Sequence, residues 1–398
     1  MSSKDETRPR LLIITRDCFP PFRADITELF SRWLTKRFDI DWVMAHQGVG
    51  PAGPIAGAAG ERFCISASGL GWLGLQLRQG LRVIGGEAQI VQVRDAAFSA
   101  VFFQLMARLG RRPFVYWMSY PIAEGYLYRA GDGRWSLRAA RWLYGCLACT
   151  VLYRWVLPKA AHVFVQSARM KADVAAEGVS PERITPVPMG ASLASYQHIE
   201  AINEPRLLGR RTLVYVGALG PERQIENLIA MLRQVVDAGF DAVLVLVGAA
   251  LDAERSLLDA LALRLGVAER LLFTGRLPLA QMLAYVRRAE VCLSPFPVWP
   301  PTYLSATPSK LVDYLAMGRP VVATDHPDQR DVIRQSGAGV IVEPTAAAMA
   351  NAAIALMSDP AAAEAMGARG PAWIAAHRDY AVISKQVAAV YRALLDHP

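Results

Sequence analysis

Lys310 and Asp313 are the residues whose type and spacing most directly suggest chemistry. They stand in TYLSATPSKLVDYLAMGRPVVATD, residues 302–325. The pattern predicts a loop, a helix, a turn and a strand. Thr307 suits the N-cap and Pro308 the first helical position, where a missing N–H costs nothing. Gly318 suits a left-handed stop, and the apolar run from Pro320 to Ala323 a strand inside a parallel sheet. A lysine in a first helical turn opposes the helix dipole by roughly 0.3–1 kcal/mol. It makes sense if an anion sits there. The free N–H groups of Ser309 and Lys310, with the ammonium, would hold a phosphate. Asp313, one turn on, would accept both hydroxyls of a ribose. The competing reading is an ordinary surface helix with a Lys–Asp pair at i, i+3.

Other candidates sit where predicted strands end. The run 88–93 leads into Arg94 and Asp95, and 113–117 leads to Ser119. Open α/β sheets bind ligands at such strand ends. Glu124 follows in SYPIAEGY. It suits a base or an orienting group for an acceptor hydroxyl, or a loop carboxylate paired with an arginine. Farther on, the strand 212–216 runs into Gly217-Ala-Leu-Gly-Pro-Glu-Arg223, a phosphate-friendly loop before a helix from about Gln224.

Elements that would position these groups recur in order. Leu11–Thr15, a helix to about Arg37 and Ile40–Met44 open one doubly wound unit. Residues 48–60 (GVGPAGPIAGAAG) read as a low-complexity loop. Residues 70–84 read as an amphipathic helix, in the core or facing a membrane. Residues 196–210 read as a linker, after which strands at 242–248, 271–274, 291–295 and 337–342 repeat the pattern. The expected domains are 1–200 and 201–379, with a terminal helix over 380–398.

The 398 residues are 53% hydrophobic with a net charge of +8. That balance favours anionic partners, yet no nucleic-acid-binding pattern is present, so no nucleic-acid partner is expected. No apolar run of roughly 18 residues predicts a membrane-spanning helix. MSSKDETRPR lacks the features of a secretory signal. Five scattered cysteines predict free thiols and a reducing cytoplasm. The six histidines show no metal-ligand spacing. His326 follows Asp325 just beyond a strand end.

PSKLVDYLAMGRPVVATD resembles the donor-binding segment of family 4 glycosyltransferases. The resemblance implies the GT-B fold, an α/β architecture of two Rossmann-like doubly wound domains facing each other across a cleft. The terminal helix is then expected to cross back to the first domain. Activity would be hexosyl transfer, with retention, from a UDP- or GDP-linked sugar to a hydroxyl acceptor. In that family an acidic residue on this helix grips the ribose and the helix N-terminus holds the diphosphate. Asp313 takes the first role, Ser309 and Lys310 the second. Many members carry another acid eight positions earlier, near the sugar; here it is Ser305. Ser119 stands near where many carry a histidine. Arg23, Ala24 and Asp25 replace a glycine pair in the first loop, and Arg23 would meet an anionic acceptor or stand as a solvated loop charge. Gly217 and Arg223 match the diphosphate loop, with Ala218 in place of its first cation. Arg276 and Leu277 match the nucleobase site, and Tyr303 and Leu304 would line the sugar-diphosphate beside Thr307.

With cations at Arg223 and Lys310 and no Asp-x-Asp motif, neither a metal nor a separate cofactor is expected. Rival readings are a nucleotide-sugar epimerase of the same fold and a non-catalytic nucleotide-sugar-binding protein. Residues 129–159 carry six basic side chains, five aromatic ones interleaved and one acid, Asp132. Such a segment suits an anionic membrane interface, or a buried helix with a charged rim. The expectation is a peripheral protein on the inner face of the membrane, acting on a lipid-linked or other glycan acceptor for exopolysaccharide or surface-glycan assembly.

Overall fold

The computed structural model describes residues 8–21, 23–46, 53–66, 69–129 and 135–396. It divides into two compact units, Met1–Pro188 with Tyr380–Pro398, and Met189–Asp379. The division falls at Pro188 rather than at residue 200. The stretch read as a linker belongs to the second unit: the Ile202 N–H donates to the Ala284 carbonyl, and Tyr196 is buried.

In the first unit the strands are β1 (Arg10–Phe19), β2 (Asp39–His46), β3 (Gly53–Ala56), β4 (Glu61–Ser66), β5 (Ile90–Arg94), β6 (Phe114–Met118), β7 (His162–Val165) and β8 (Ile184–Pro186). They form one sheet in the order β3-β4-β2-β1-β5-β6-β7-β8. All neighbours are parallel except β3 and β4. The antiparallel β3 corrects the reading of 48–60 as loop: Gly53 and Pro54 take edge positions, which a sheet tolerates. Residues 48–52 lie outside the described residues. Leu11 to Ile14 are buried, as expected of a parallel strand covered on both faces.

Four helices concern the site and surface of this unit: α1 (Gly69–Ile84), α2 (Ala97–Leu109), α3 (Ile122–Arg129) and α4 (Trp135–Val151). The last runs on through a π-helical turn, Leu152–Val156, and a 3-10 turn, Leu157–Lys159. The terminal helix Tyr380–Asp396 is part of this unit. Its Tyr391 hydroxyl donates to Gln92 Oε1 and its ring meets Phe38 and Phe164, each at 5.5 Å.

In the second unit the strands are β9 (Arg211–Val216), β10 (Ala242–Val247), β11 (Leu271–Gly275), β12 (Val291–Ser294), β13 (Val321–Thr324) and β14 (Gly339–Val342). All pair in parallel, in the order β11-β10-β9-β12-β13-β14. Counted within the unit this is 3-2-1-4-5-6, the doubly wound order with a switch point between its first and fourth strands. The first sheet repeats it, with β1 and β5 at its switch point, β3 added outside β4 and β8 added outside β7.

Candidate functional site

The second unit's switch point is where β9 and β12 lie side by side, with Leu213 opposite Val291 and Tyr215 opposite Leu293. The helix Ser309–Ala316 is tied to both strands. Tyr314 Oη accepts the Val216 N–H at 2.8 Å and lies 3.3 Å from the Leu293 carbonyl, to which it donates. Gly217 follows with φ +146°. A Cβ there would lie 2.9 Å from Tyr215 Oη and 3.2 Å from Lys310 Nζ. The position therefore requires glycine, both for its backbone and for the close approach of Lys310.

Lys310 is only 8% exposed. Its ammonium stands 4.1 Å over the Tyr215 ring, and no carboxylate among the described residues lies within ion-pairing distance of it. Burial first, and the Arg223 charge second, push the Lys310 pKa well down from its ordinary value. Arg223 lies in a 3-10 turn, Pro221–Arg223, between the rings of Phe296 at 5.4 Å and Tyr303 at 5.6 Å. Its Nη1 is buried without a hydrogen-bond partner among the described residues. Its nearest carboxylate, Glu222, is 3.8 Å away. Two cations thus share a partly dry pocket without an anion between them. That costs free energy and suits a ligand carrying negative charge.

Asp313 is half-buried and makes no pair with Lys310, so the surface-helix reading fails. Its Oδ1 accepts from the Tyr196 hydroxyl at 2.8 Å, and burial pushes its carboxyl up to about 7. The helix starts one residue later than its sequence suggests. Pro308 holds the cap position with no side-chain cap, while Thr307 Oγ1 accepts the Met189 N–H at 3.1 Å. Thr307 therefore fixes the chain entering the unit. Ser309 is exposed at the helix start, and the N–H groups of Ser309 and Lys310 precede any intrahelical acceptor. Tyr303, Leu304 and Ser305 share the 3-10 turn Pro301–Ser305. His326, fully buried, holds that turn through Nε2, 2.9 Å from the Tyr303 carbonyl. Burial lowers its pKa, which makes it a neutral brace. Arg276, exposed, and Leu277, half-buried, follow Gly275 at the end of β11, the edge strand two places from β9.

In the first unit, Arg23, Arg94, Asp95 and Ser119 come together at the β1–β5 switch point, where Thr15 is opposite Arg94. Their polar groups engage one another. Arg94 is fully buried; it donates to Asp25 and lies 3.4 Å from Asp17. Arg23 Nε donates to Asp25 Oδ1 at 3.2 Å, so it is neither a solvated charge nor an unneutralised one. Burial works to raise the Asp25 pKa, but the Arg94 and Arg23 charges hold it at about 2. Asp95, at φ 55°, accepts the Ser119 N–H at 2.8 Å and the Ser119 hydroxyl. Glu124 on α3 stands apart from this network. Its partner is the Tyr153 hydroxyl, not an arginine. Burial raises its pKa, and Oε2 has no partner among the described residues.

Among the described residues no group of three or more His, Cys, Asp or Glu is arranged to hold a metal ion. The model for "Glycosyl transferases group 1" matches residues 210–359. The model for "Glycosyl transferase 4-like domain" matches residues 65–190. The chain belongs to the group 1, family 4-like glycosyltransferases. No curated protein gives a significant sequence match.

Among solved structures, a sucrose-phosphate synthase from Thermosynechococcus elongatus matches this glycosyltransferase with a TM-score of 0.73 at 18% identity. The match covers 98% of this chain and 100% of that one. The Anabaena protein HepE, solved with UDP-glucose, gives 0.68 at 16%, covering 96% and 99%. An α,α-trehalose-phosphate synthase (UDP-forming) from Burkholderia vietnamiensis gives 0.69 at 12%, covering 96% and 100%. These likenesses establish the GT-B fold, with its two Rossmann-like units.

Five side chains that build the glycosyltransferase's two switch points escaped the sequence reading of the site: Tyr196, Tyr215, Tyr314, Phe296 and Asp17. Tyr314 alone left a signal, since it adjoins Asp313. Tyr196 lies 117 positions from the carboxylate it holds, and no local pattern links them.

Proposed function

We propose that this glycosyltransferase moves a hexosyl group from a UDP- or GDP-linked donor to a hydroxyl acceptor, with retention and without a metal ion. The observation that carries this reading is the Arg223–Lys310 pair, in which Lys310, beside Gly217, has no carboxylate partner among the described residues and Arg223 has only Glu222, at 3.8 Å. A donor diphosphate set against Gly217 and the N-terminus of the Ser309–Ala316 helix neutralises both. As the sugar departs, negative charge grows on the diphosphate oxygen. Positioned cations and N–H groups then stabilise the transition state more than the ground state. The ionised Asp313 accepts the ribose hydroxyls, Tyr303 and Leu304 flank the sugar-diphosphate, and Arg276 with Leu277 borders the base. UDP is the first nucleotide to try, because HepE is solved with UDP-glucose. Glu124, among the described residues the one first-unit carboxylate with an unpartnered buried oxygen, is the candidate to orient an acceptor hydroxyl. A lipid-linked glycan precursor at an anionic membrane surface, met by residues 129–159, fits the basic and aromatic character of that segment. On this reading the enzyme acts peripherally on the inner membrane face.

The test is calorimetric titration of UDP, GDP and ADP, without added metal, into wild type and Lys310→Ala. Loss of a charge-assisted phosphate contact costs roughly 1.5–3 kcal/mol. Equal binding by both proteins, or binding of no nucleotide, overturns the reading.

A further inference from the structure

Three helices of the first unit present aliphatic residues to solvent at helical spacing, the reverse of the usual amphipathic arrangement. On α1 these are Leu70, Leu73, Leu77, Leu81 and Ile84; on α2, Phe98, Val101, Leu105 and Leu109. Leu70 is 86% exposed and Leu105 52%. On α4 and its π-helical extension Trp142, Leu143, Leu147 and Trp155 are exposed, Trp155 at 61%. The three lie side by side, with α2 in the middle. Gly80 of α1 packs on Phe102 and Met106 of α2. Phe98 meets Tyr144 of α4 at 5.3 Å, and Gln104 donates to the Val156 carbonyl at 2.9 Å. The result is one apolar face, and large exposed patches of this kind mark interaction surfaces.

Its charge identifies the partner. Residues 69–84, 97–109 and 135–159 contain no aspartate or glutamate, yet carry Arg78, Arg82, Arg108, Arg138, Arg141, Arg154 and Lys159, of which Arg82 is ion-paired with Asp41 and Glu87. A cavity of about 570 Å³ adjoins the face at the N-terminal ends of β6 and β7, opposite the switch point. Arg108, Arg112, Lys159 and Arg183 line it with Leu105 and Trp155, and no acid does. The Arg112 Nε is buried there without a hydrogen-bond partner among the described residues. Among the described residues no helix is long and apolar enough to cross a membrane. Apolar stripes, tryptophans and uniformly positive charge on helices that cannot span suit an anionic lipid interface.

We propose that the first unit seats on an anionic bilayer through α1, α2 and α4 with its extension, the aliphatic stripes entering the acyl boundary and the Arg108–Arg112–Lys159–Arg183 cavity holding a lipid phosphate. This extends the membrane part of the proposed function well beyond residues 129–159 and is independent of the donor chemistry.

Flotation with vesicles of phosphatidylcholine alone, or with added phosphatidylglycerol, tests it on the full chain. Wild type floats only with the anionic vesicles. Leu73→Gln/Leu105→Gln/Leu143→Gln, one change per helix at exposed positions, reduces partitioning at least about tenfold. Arg108→Gln/Lys159→Gln reduces it roughly fivefold per cation removed. Both variants keep the wild-type circular dichroism and melting temperature. Wild type that ignores anionic vesicles overturns the proposal, as does a triple variant that floats unchanged. So does a wild-type dimer that the triple variant converts to monomer without any vesicle binding, since a second copy then covers the face. Unchanged flotation of the double variant removes the phosphate seat. Nucleotide titration of the same preparations separates the two readings: vesicle binding without nucleotide binding defeats only the donor site, and the converse defeats this proposal together with the membrane part of the proposed function while leaving the donor site standing.

Discussion

The pH dependence of nucleotide binding should expose the ionisation of Asp313. Burial holds this carboxyl at about 7, and a single hydroxyl, from Tyr196, donates to it. Accepting both ribose hydroxyls requires the carboxylate. With a pKa near 7, the ionised share changes about tenfold between pH 8 and pH 6, so affinity should fall about tenfold over that interval. The ligand's own phosphates titrate too. The quantity to measure is therefore the affinity ratio of wild type to Asp313→Asn, by calorimetry, at each pH. At pH 8 the ratio should correspond to roughly 1.5–3 kcal/mol for a charged hydrogen-bond acceptor, and it should shrink towards pH 6. Tyr196→Phe removes the donor that favours the carboxylate and should move the transition up by about one pH unit. A ratio identical at pH 6 and pH 8 would falsify the role given to Asp313. Stability supplies an independent check. The folded pKa of about 7 exceeds the ordinary 3.8, so the folded carboxyl keeps its proton where the unfolded one has lost it. Stability accordingly drains away as pH rises from about 4 to 7, by up to about 4 kcal/mol. Asp313→Asn should melt above wild type at pH 8 and level with it at pH 4.

Lys310 carries the opposite sign. Its pKa is depressed in the fold, so the unfolded chain binds the extra proton and the site's penalty is greatest at low pH. Lys310→Met should raise the melting temperature at pH 7 while abolishing diphosphate binding, read by thermal melts and calorimetric titration of UDP. Gly217→Ala should lose nucleotide binding and about 1–3 kcal/mol of stability in denaturant titration, because φ +146° and the Tyr215 and Lys310 contacts leave no room for a methyl group. Arg94→Ala should cost about 3–5 kcal/mol, since it leaves the buried Asp25 without its main counter-charge.

The helix that carries Lys310 and Asp313 was legible because its signals are local: an anomalous cation in the first turn, an acid one turn on, and Gly318 as the stop. The alternation of buried strands was legible for the same reason, since inner runs such as LLII, AVLVLV and VVA are covered on both faces. What stayed hidden depends on tertiary contact. Thr307 reads as an N-cap until the Met189 N–H takes its hydroxyl. Glu124 reads as an arginine partner until the π-helical turn brings Tyr153 to it. Residues 53–56 read as glycine-rich loop because an edge strand paired on one side needs no apolar run. The helix α2 went unread, since AFSAVFFQLMARL lacks the polar face that marks a surface helix in water.

Lys310 and Asp313 are both held away from their ordinary ionisation, one discouraged from keeping its proton and the other from losing it. Burial is the leading cause in each case. A core lysine or aspartate held for stability alone would have acquired a counter-charge, as Arg94 has in Asp25 and Asp17. Here the two lie one helical turn apart and do not pair with each other. A nucleotide diphosphate would provide phosphate charge for the cation and, beside the single Tyr196 hydroxyl, further hydroxyl donors for the acid. On the proposed reading one ligand relieves both costs, which gives the free enzyme a reason to tolerate them.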